Sequence, residues 1–118
     1  MKIIQAYKKK NKNWEYLKKE GELKNPLVLV FGNRMQLERL EVIEAIRKEF
    51  PYEHLVFGST AGEIIDANVF DDSIVVTAIE FEKSTFAIRT DNIFNHKKNA
   101  NALGKSLYQQ IPKENLKH

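Results

Sequence analysis

Apolar runs interrupted by Gly, Pro and Asn divide the chain into short strands and amphipathic helices. Met1 to Tyr7, with Ile3, Ile4, Ala6 and Tyr7 apolar, reads as a strand. Asn13 is placed to cap a short helix from Trp14 to Glu20, which Gly21 ends. Pro26 opens Leu27-Val28-Leu29-Val30-Phe31, apolar at every position, the pattern of a strand covered on both faces. Gly32-Asn33-Arg34 breaks that strand, and a helix follows from about Gln36 to Phe50. Leu37, Leu40, Ile43, Ile46 and Phe50 form its apolar side, and Glu38, Arg39, Glu41, Arg47 and Lys48 mostly its polar one. Pro51 ends it, and His54 to Phe57 is the next strand. This β-α-β order predicts two parallel strands joined by a right-handed crossover.

The stretch Gly58-Ser59-Thr60-Ala61-Gly62-Glu63-Ile64 then reads as a polar loop, and Ile65 to Phe70 as a hinge-like connection. Asp71-Asp72 precedes a strand from Ser73 to Phe81, rich in Ile, Val and Thr. Lys83-Ser84 offers a tight turn into Thr85 to Thr90, so the two segments read as an antiparallel hairpin. Asn95 to Gln110 reads as a final helix with Ala102, Leu103, Leu107 and Ile111 buried, stopped by Pro112. Another strand can begin at Asn115 to His118. The class predicted is α/β or α+β: a mixed sheet with one βαβ unit, a C-terminal-side hairpin and flanking helices, in a single domain over residues 1–118.

Composition narrows the function classes. At 118 residues, 42% hydrophobic and 30% charged, the chain has the make-up of a soluble globular domain. It holds no cysteine, which removes disulfides, thiolate catalysis and cysteine-ligated metals. No apolar run approaches the roughly 18 residues of a membrane span. The N-terminus lacks a signal-like hydrophobic region, so a cytoplasmic location is expected, with no membrane partner. The net charge of +3 is concentrated early, at Lys2, Lys8, Lys9, Lys10, Lys12, Lys18, Lys19 and Lys24. Without a second basic cluster or interleaved aromatics, this reads as a solvated face rather than a nucleic-acid footprint.

The loop after His54–Phe57 is the most promising chemistry. Ligands of open α/β sheets lie beyond the carboxyl ends of parallel strands. Two such ends, Gly32-Asn33-Arg34 and Gly58 to Glu63, are predicted neighbours. The ligand-binding residues expected are therefore Asn33, Arg34, Gly58, Ser59, Thr60, Gly62 and Glu63. Arg34 offers a fork for a carboxylate and Glu63 an acceptor for an ammonium group, a combination that suits an amino acid. Gly58 and Gly62 shape the loop, while Ser59 and Thr60 supply short donors and acceptors. The plainer alternative is that Asn33 caps a helix, Arg34 is solvated and Glu63 pairs locally.

Other chemistries find less support. A hydrolase would need Ser59 or Thr60 beside a histidine base, but His54, His96 and His118 sit in no recognisable motif, and His54 and His96 read as surface residues. No metal or cofactor is expected, since the histidines are dispersed and Asp71-Asp72 reads as a turn. Gly104-Lys105-Ser106 lacks the upstream glycine of a P-loop, since Asn99 stands there. Glu80 and Glu82 read as a polar face or guards of a sheet edge. An interaction module is the main non-sensory alternative. The Lys8 to Lys19 segment with Trp14 would dock an acidic partner, and an uncompleted sheet edge would allow a homodimer.

Leu27-Val28-Leu29-Val30-Phe31-Gly32, the helix ending Phe50-Pro51, the Gly58–Ile64 motif and Ser73-Ile74-Val75-Val76 occur in an order that resembles the N-terminal half of FIST domains, over roughly residues 26 to 90. The family loop is close to Gly-Cys-Ser-Thr-Ala-Gly-Glu-Ile. Here Phe57 stands where the family usually has Gly, and Gly58 where it often has Cys or Ser. The resemblance implies a non-catalytic sensory domain for a small metabolite such as an amino acid, signalling through an attached or partner output domain. Family members are normally much longer, so the chain looks like a truncated N-terminal part.

Overall fold

The computed structural model describes residues 1–65 and 68–116. Two compact units are distinguished, Met1–Ser84 and Thr85–His118. The first unit holds a five-stranded mixed sheet in the order β2-β1-β7-β3-β4. Its strands are β1 (Lys2–Lys9), β2 (Glu15–Lys19), β3 (Leu27–Asn33), β4 (His54–Thr60) and β7 (Ser73–Glu80). β3 and β4 run parallel, with Leu27 opposite His54 and Asn33 opposite Thr60. All other pairs in the sheet are antiparallel. A small hairpin, β5 (Glu63–Ile65) with β6 (Asn68–Phe70), lies between β4 and β7 in the chain.

The core lies on one face of this sheet. Ile4 and Ala6 of β1, Val28 and Val30 of β3, and Val76 and Ala78 of β7 are buried together with Ile46 and Phe50 from the β3–β4 connection. The period-2 alternation puts these residues on the same side. β3 is thus not equally covered on both faces, as its uniformly apolar sequence suggests: Val28 and Val30 are fully buried, while Phe31 is 40% exposed.

The connection from β3 to β4 is two helices rather than one, α1 (Arg34–Leu37) and α2 (Leu40–Glu49). Both Leu37 and Ile46 pack into the core. Nine residues apart on an unbroken helix, they would point about 180° away from each other. The extended backbone of Arg39, at ψ 123°, restarts the helix in a phase that brings both inward. Leu40, expected in the apolar stripe, is left exposed.

In place of the helix expected from Trp14 to Glu20, the chain forms the strand β2 over Glu15–Lys19. Asn11 adopts a left-handed conformation at φ 58°, which asparagine tolerates better than most residues, and the chain turns back along β1. Gln5 pairs with Lys18 and Ala6 with Tyr16, leaving Leu17 as an extra residue, a β-bulge. The bulge breaks the period-2 pattern and hides the strand from the sequence. Trp14 packs edge-on against Phe50, with ring centroids 5.1 Å apart, and the Tyr16 hydroxyl donates to Glu49. These contacts tie β2 to the end of α2.

The expected hairpin between Ser73–Phe81 and Thr85–Thr90 is not formed. A strand has two hydrogen-bonding edges, and β7 uses both, one on β1 and one on β3. β7 is therefore a central strand, and Glu80 is no edge guard: its carboxylate accepts the backbone N–H of Lys24 at 2.7 Å. Thr85–Thr90 enters no ladder.

In the second unit a 3-10 turn, Ile93–His96, and α3 (Ala100–Gln110) replace the single helix expected from Asn95. Left-handed Lys97 and Lys98 separate them, and Asn99 caps α3 by accepting the N–H of Ala102. The hinge-like stretch expected over Ile65 to Phe70 contains β6 from Asn68 onward; residues 66–67 lie outside the described residues, as do 117–118 of the expected last strand.

Candidate functional site

The carboxyl ends of β3 and β4 lie side by side, with Gly32 opposite Ser59 and Asn33 opposite Thr60. The polar stretch read as a loop is continuous with β4 as far as Thr60. Ala61 and Gly62 link it to β5, which begins at Glu63. Because successive strand side chains face opposite ways, Ser59 and Thr60 serve different surroundings. That alternation splits the expected site into two groups.

The first group surrounds a hollow of about 350 Å³ lined by Arg34, Leu37, Glu38, Phe57 and Ser59. Asn33 does not line this hollow; it caps α1, its Oδ1 accepting the N–H of Met35 at 2.8 Å. Arg34, the first helical residue, is exposed and its Nε donates to Glu38 at 2.6 Å. That hydrogen bond and the neighbouring charge raise the Arg34 pKa further, against slight desolvation. Leu37 and Phe57 supply apolar walls. Glu38 belongs to this hollow although its sequence position marks it only as part of a polar helix face. Its spacing of four residues from Arg34 is the signal that pairs the two.

The second group is a buried carboxylate network. Glu63 is 2% exposed. Its Oε1 accepts the Thr60 hydroxyl at 2.7 Å. Its Oε2 accepts the Ser73 hydroxyl at 2.8 Å and the Ser73 N–H at 3.3 Å. Every buried side-chain polar atom among the described residues has a partner. Both oxygens of Glu63 are thus engaged within the chain, where they join the end of β4 to the start of β7. Glu63 does not share the hollow with Arg34. Ser73, which the sequence marks only as the start of a strand, supplies two of the three donors to Glu63, a role visible only once β7 is placed.

Gly58 lies within β4 opposite Phe31. A Cβ there would stand 3.0 Å from Cε1 of the Phe31 ring, so the glycine makes room for the aromatic side chain. Gly32 is similarly confined, with a Cβ position 3.3 Å from the Ser73 carbonyl and 3.4 Å from Leu37 Cγ. These two glycines allow β3, β4, α1 and the start of β7 to close up around the site.

His96, read as a surface residue, is half-buried in the second unit. Its Nε2 lies 2.7 Å from Asp91 Oδ2, which also accepts the Ser106 hydroxyl at 2.7 Å. Ser106, His96 and the Asn92 N–H hold the Asp91 carboxyl well below the usual carboxylate range. The serine is bonded to the carboxylate rather than to the imidazole, so the three residues do not form a nucleophile-base relay.

Among the described residues no group of three or more His, Asp or Glu is placed to hold a metal ion, and no helix is long and apolar enough to cross a membrane. Comparison with curated proteins and with solved structures gave no match. The family profile described as FIST N domain matches residues 26–118. That match starts at the Pro26 turn into β3 and includes both halves of the site, so the chain belongs to the FIST N domain family of sensory, signal-transduction domains.

Proposed function

We propose that this chain is a non-catalytic sensor of a small zwitterionic metabolite, an amino acid with a compact apolar side chain, held at the carboxyl ends of β3 and β4. The observation that carries this reading is the hollow lined by the polar Arg34, Glu38 and Ser59 together with the apolar Leu37 and Phe57. A ligand carboxylate replaces Glu38 as the partner of Arg34, and its ammonium group takes up Glu38. The Ser59 hydroxyl supplies a further donor or acceptor. Asn33 and Gly58 shape this edge, while Thr60, Gly62 and Glu63 support it from the neighbouring turn. Glu38 here takes the ammonium-binding role that sequence position suggests for Glu63. The signal passes to an attached or partner output domain.

Thermal-shift and calorimetric titration with amino acids test the reading. A ligand that binds the folded state raises the melting temperature as its concentration exceeds Kd. The expected result is binding that is lost on methyl-esterification or N-acetylation of the amino acid, and weakened in both Arg34→Ala and Glu38→Gln. Equal binding of the parent and blocked compounds overturns it. The absence of any shift, accompanied by self-association through the β4 sheet edge, favours an interaction module.

A further inference from the structure

A second and larger cleft, of about 420 Å³, lies on the other side of α1, between the β1–β2 turn and α2. Its volume falls within the usual range of small-molecule pockets. Met35 and Gln36 of α1 line this cleft, whereas Arg34, Leu37 and Glu38 line the hollow described above. Its apolar lining includes Trp14, Ile46 and Ile74, and its charged lining is Lys8, Lys9, Lys10 and Arg39 together with the carboxylates Glu41 and Asp72. Lys8 occupies the same face of β1 as the core residues Ile4 and Ala6, which directs it toward the helices. Arg39 is paired with Glu41, but Lys8 and Lys10 make no ion pair among the described residues. An apolar floor with a net positive lining, four cations to two carboxylates, is complementary to an anion with an apolar body.

We propose that this cleft binds a small organic carboxylate carrying an aromatic or branched aliphatic group. The apolar body rests against Trp14, Ile46 and Ile74, and the carboxylate meets Lys8 and Lys10. The site is separate from the amino-acid hollow and does not depend on that assignment. Lys8, Lys10 and Trp14 precede the family match, which begins at residue 26, so the cleft is completed by the N-terminal hairpin of this chain.

Trp14 is the one tryptophan of the sequence and provides the readout. The full chain is titrated with phenylacetate, and with phenylacetamide as its neutral counterpart, while tryptophan emission is followed. A saturable change with phenylacetate is expected, with affinity for phenylacetamide about fivefold weaker. Lys8→Gln/Lys10→Gln is expected to weaken phenylacetate binding by about the same factor at unchanged melting temperature. Lys8→Arg/Lys10→Arg is expected to retain binding, and Arg34→Ala to leave it unchanged. No saturable response to phenylacetate, equal responses to the acid and amide, or an unchanged affinity in the double glutamine variant overturns the proposal. If that variant fails to fold, the acid-versus-amide comparison on the original chain decides the same point.

Discussion

Glu63 receives both the hydroxyl and the backbone N–H of Ser73 on one carboxylate oxygen, at 2.8 and 3.3 Å. Its other oxygen receives Thr60 at 2.7 Å. The pairing joins β5 to the first residue of β7 and secures the turn after β4. Truncation would remove the acceptor while leaving three donors behind. Each buried polar group deprived of a partner costs about 1–3 kcal/mol. Glu63→Ala is therefore expected to lose on the order of 3 kcal/mol in urea unfolding. Glu63→Gln is expected to lose less, because an amide oxygen can still face Ser73 and the Thr60 hydroxyl can accept from its NH2 group. An unchanged unfolding midpoint in Glu63→Ala would remove this structural role.

Phe31 and Gly58 are expected to be energetically coupled. The ring stands where a Cβ on residue 58 would project, but it is on a partly exposed face and has some room to move. The net effect of Gly58→Ala therefore depends on how far the ring gives way. A double-mutant cycle with Phe31→Ala isolates this dependence, with an expected coupling of about 1 kcal/mol. Additive effects of the two substitutions would show that the close approach has no energetic consequence.

Phe50 closes the core beneath α2 and receives the edge of Trp14. Phe50→Ala is expected to cost about 3–5 kcal/mol, combining lost apolar transfer with a residual cavity. Because Trp14 contacts the same ring, its emission should also change in the folded variant. Guanidinium unfolding and fluorescence test both parts.

Asp91 gives the second unit a specific acid response. Its folded pKa is depressed by Ser106, His96 and the Asn92 N–H. Its contribution is fully present above the unfolded carboxyl value of about 3.9 and is lost as pH falls through the lower folded value. The stability difference between the original chain and Asp91→Asn should therefore shrink on acidification below about pH 4. Unfolding of α3 followed as a function of pH tests this. A difference independent of pH would exclude ionisation of Asp91 as its source.

Tyr16 gives the β2–α2 contact an alkaline response. Burial and the hydrogen bond to Glu49 push its phenol up to about 12. A raised folded pKa stabilises below the unfolded value of about 10, and the contribution is lost as pH rises through the folded value. Ultraviolet titration should show that Tyr16→Phe removes a late tyrosine ionisation, and Glu49→Gln should bring that ionisation to lower pH. A late step that persists in Tyr16→Phe would assign it to another tyrosine.

The sequence alone determined the parallel β3–β4 pair, the apolar β7 segment and the family resemblance, because long apolar runs and the Ser59-Thr60-Ala61-Gly62-Glu63-Ile64 motif are local signals. The sequence offers a helix cap at Asn33 only as the plainer alternative to a ligand-binding role, and the cap forms because its side chain needs to reach only two residues ahead. Tertiary structure decided where those signals led. The bulge at Leu17 and the supporting ladder of β1 made Trp14–Glu20 extended, against its helical reading. Occupation of both β7 edges excluded Thr85–Thr90 from pairing there. Strand alternation separated Ser59 from Thr60, and the arrival of Ser73 from a distant segment engaged Glu63, leaving Glu38 to face the Arg34 hollow. Hydrogen-bonding edges and buried acceptors are finite, so which segment fills each one is settled by competition across the whole fold rather than by local sequence.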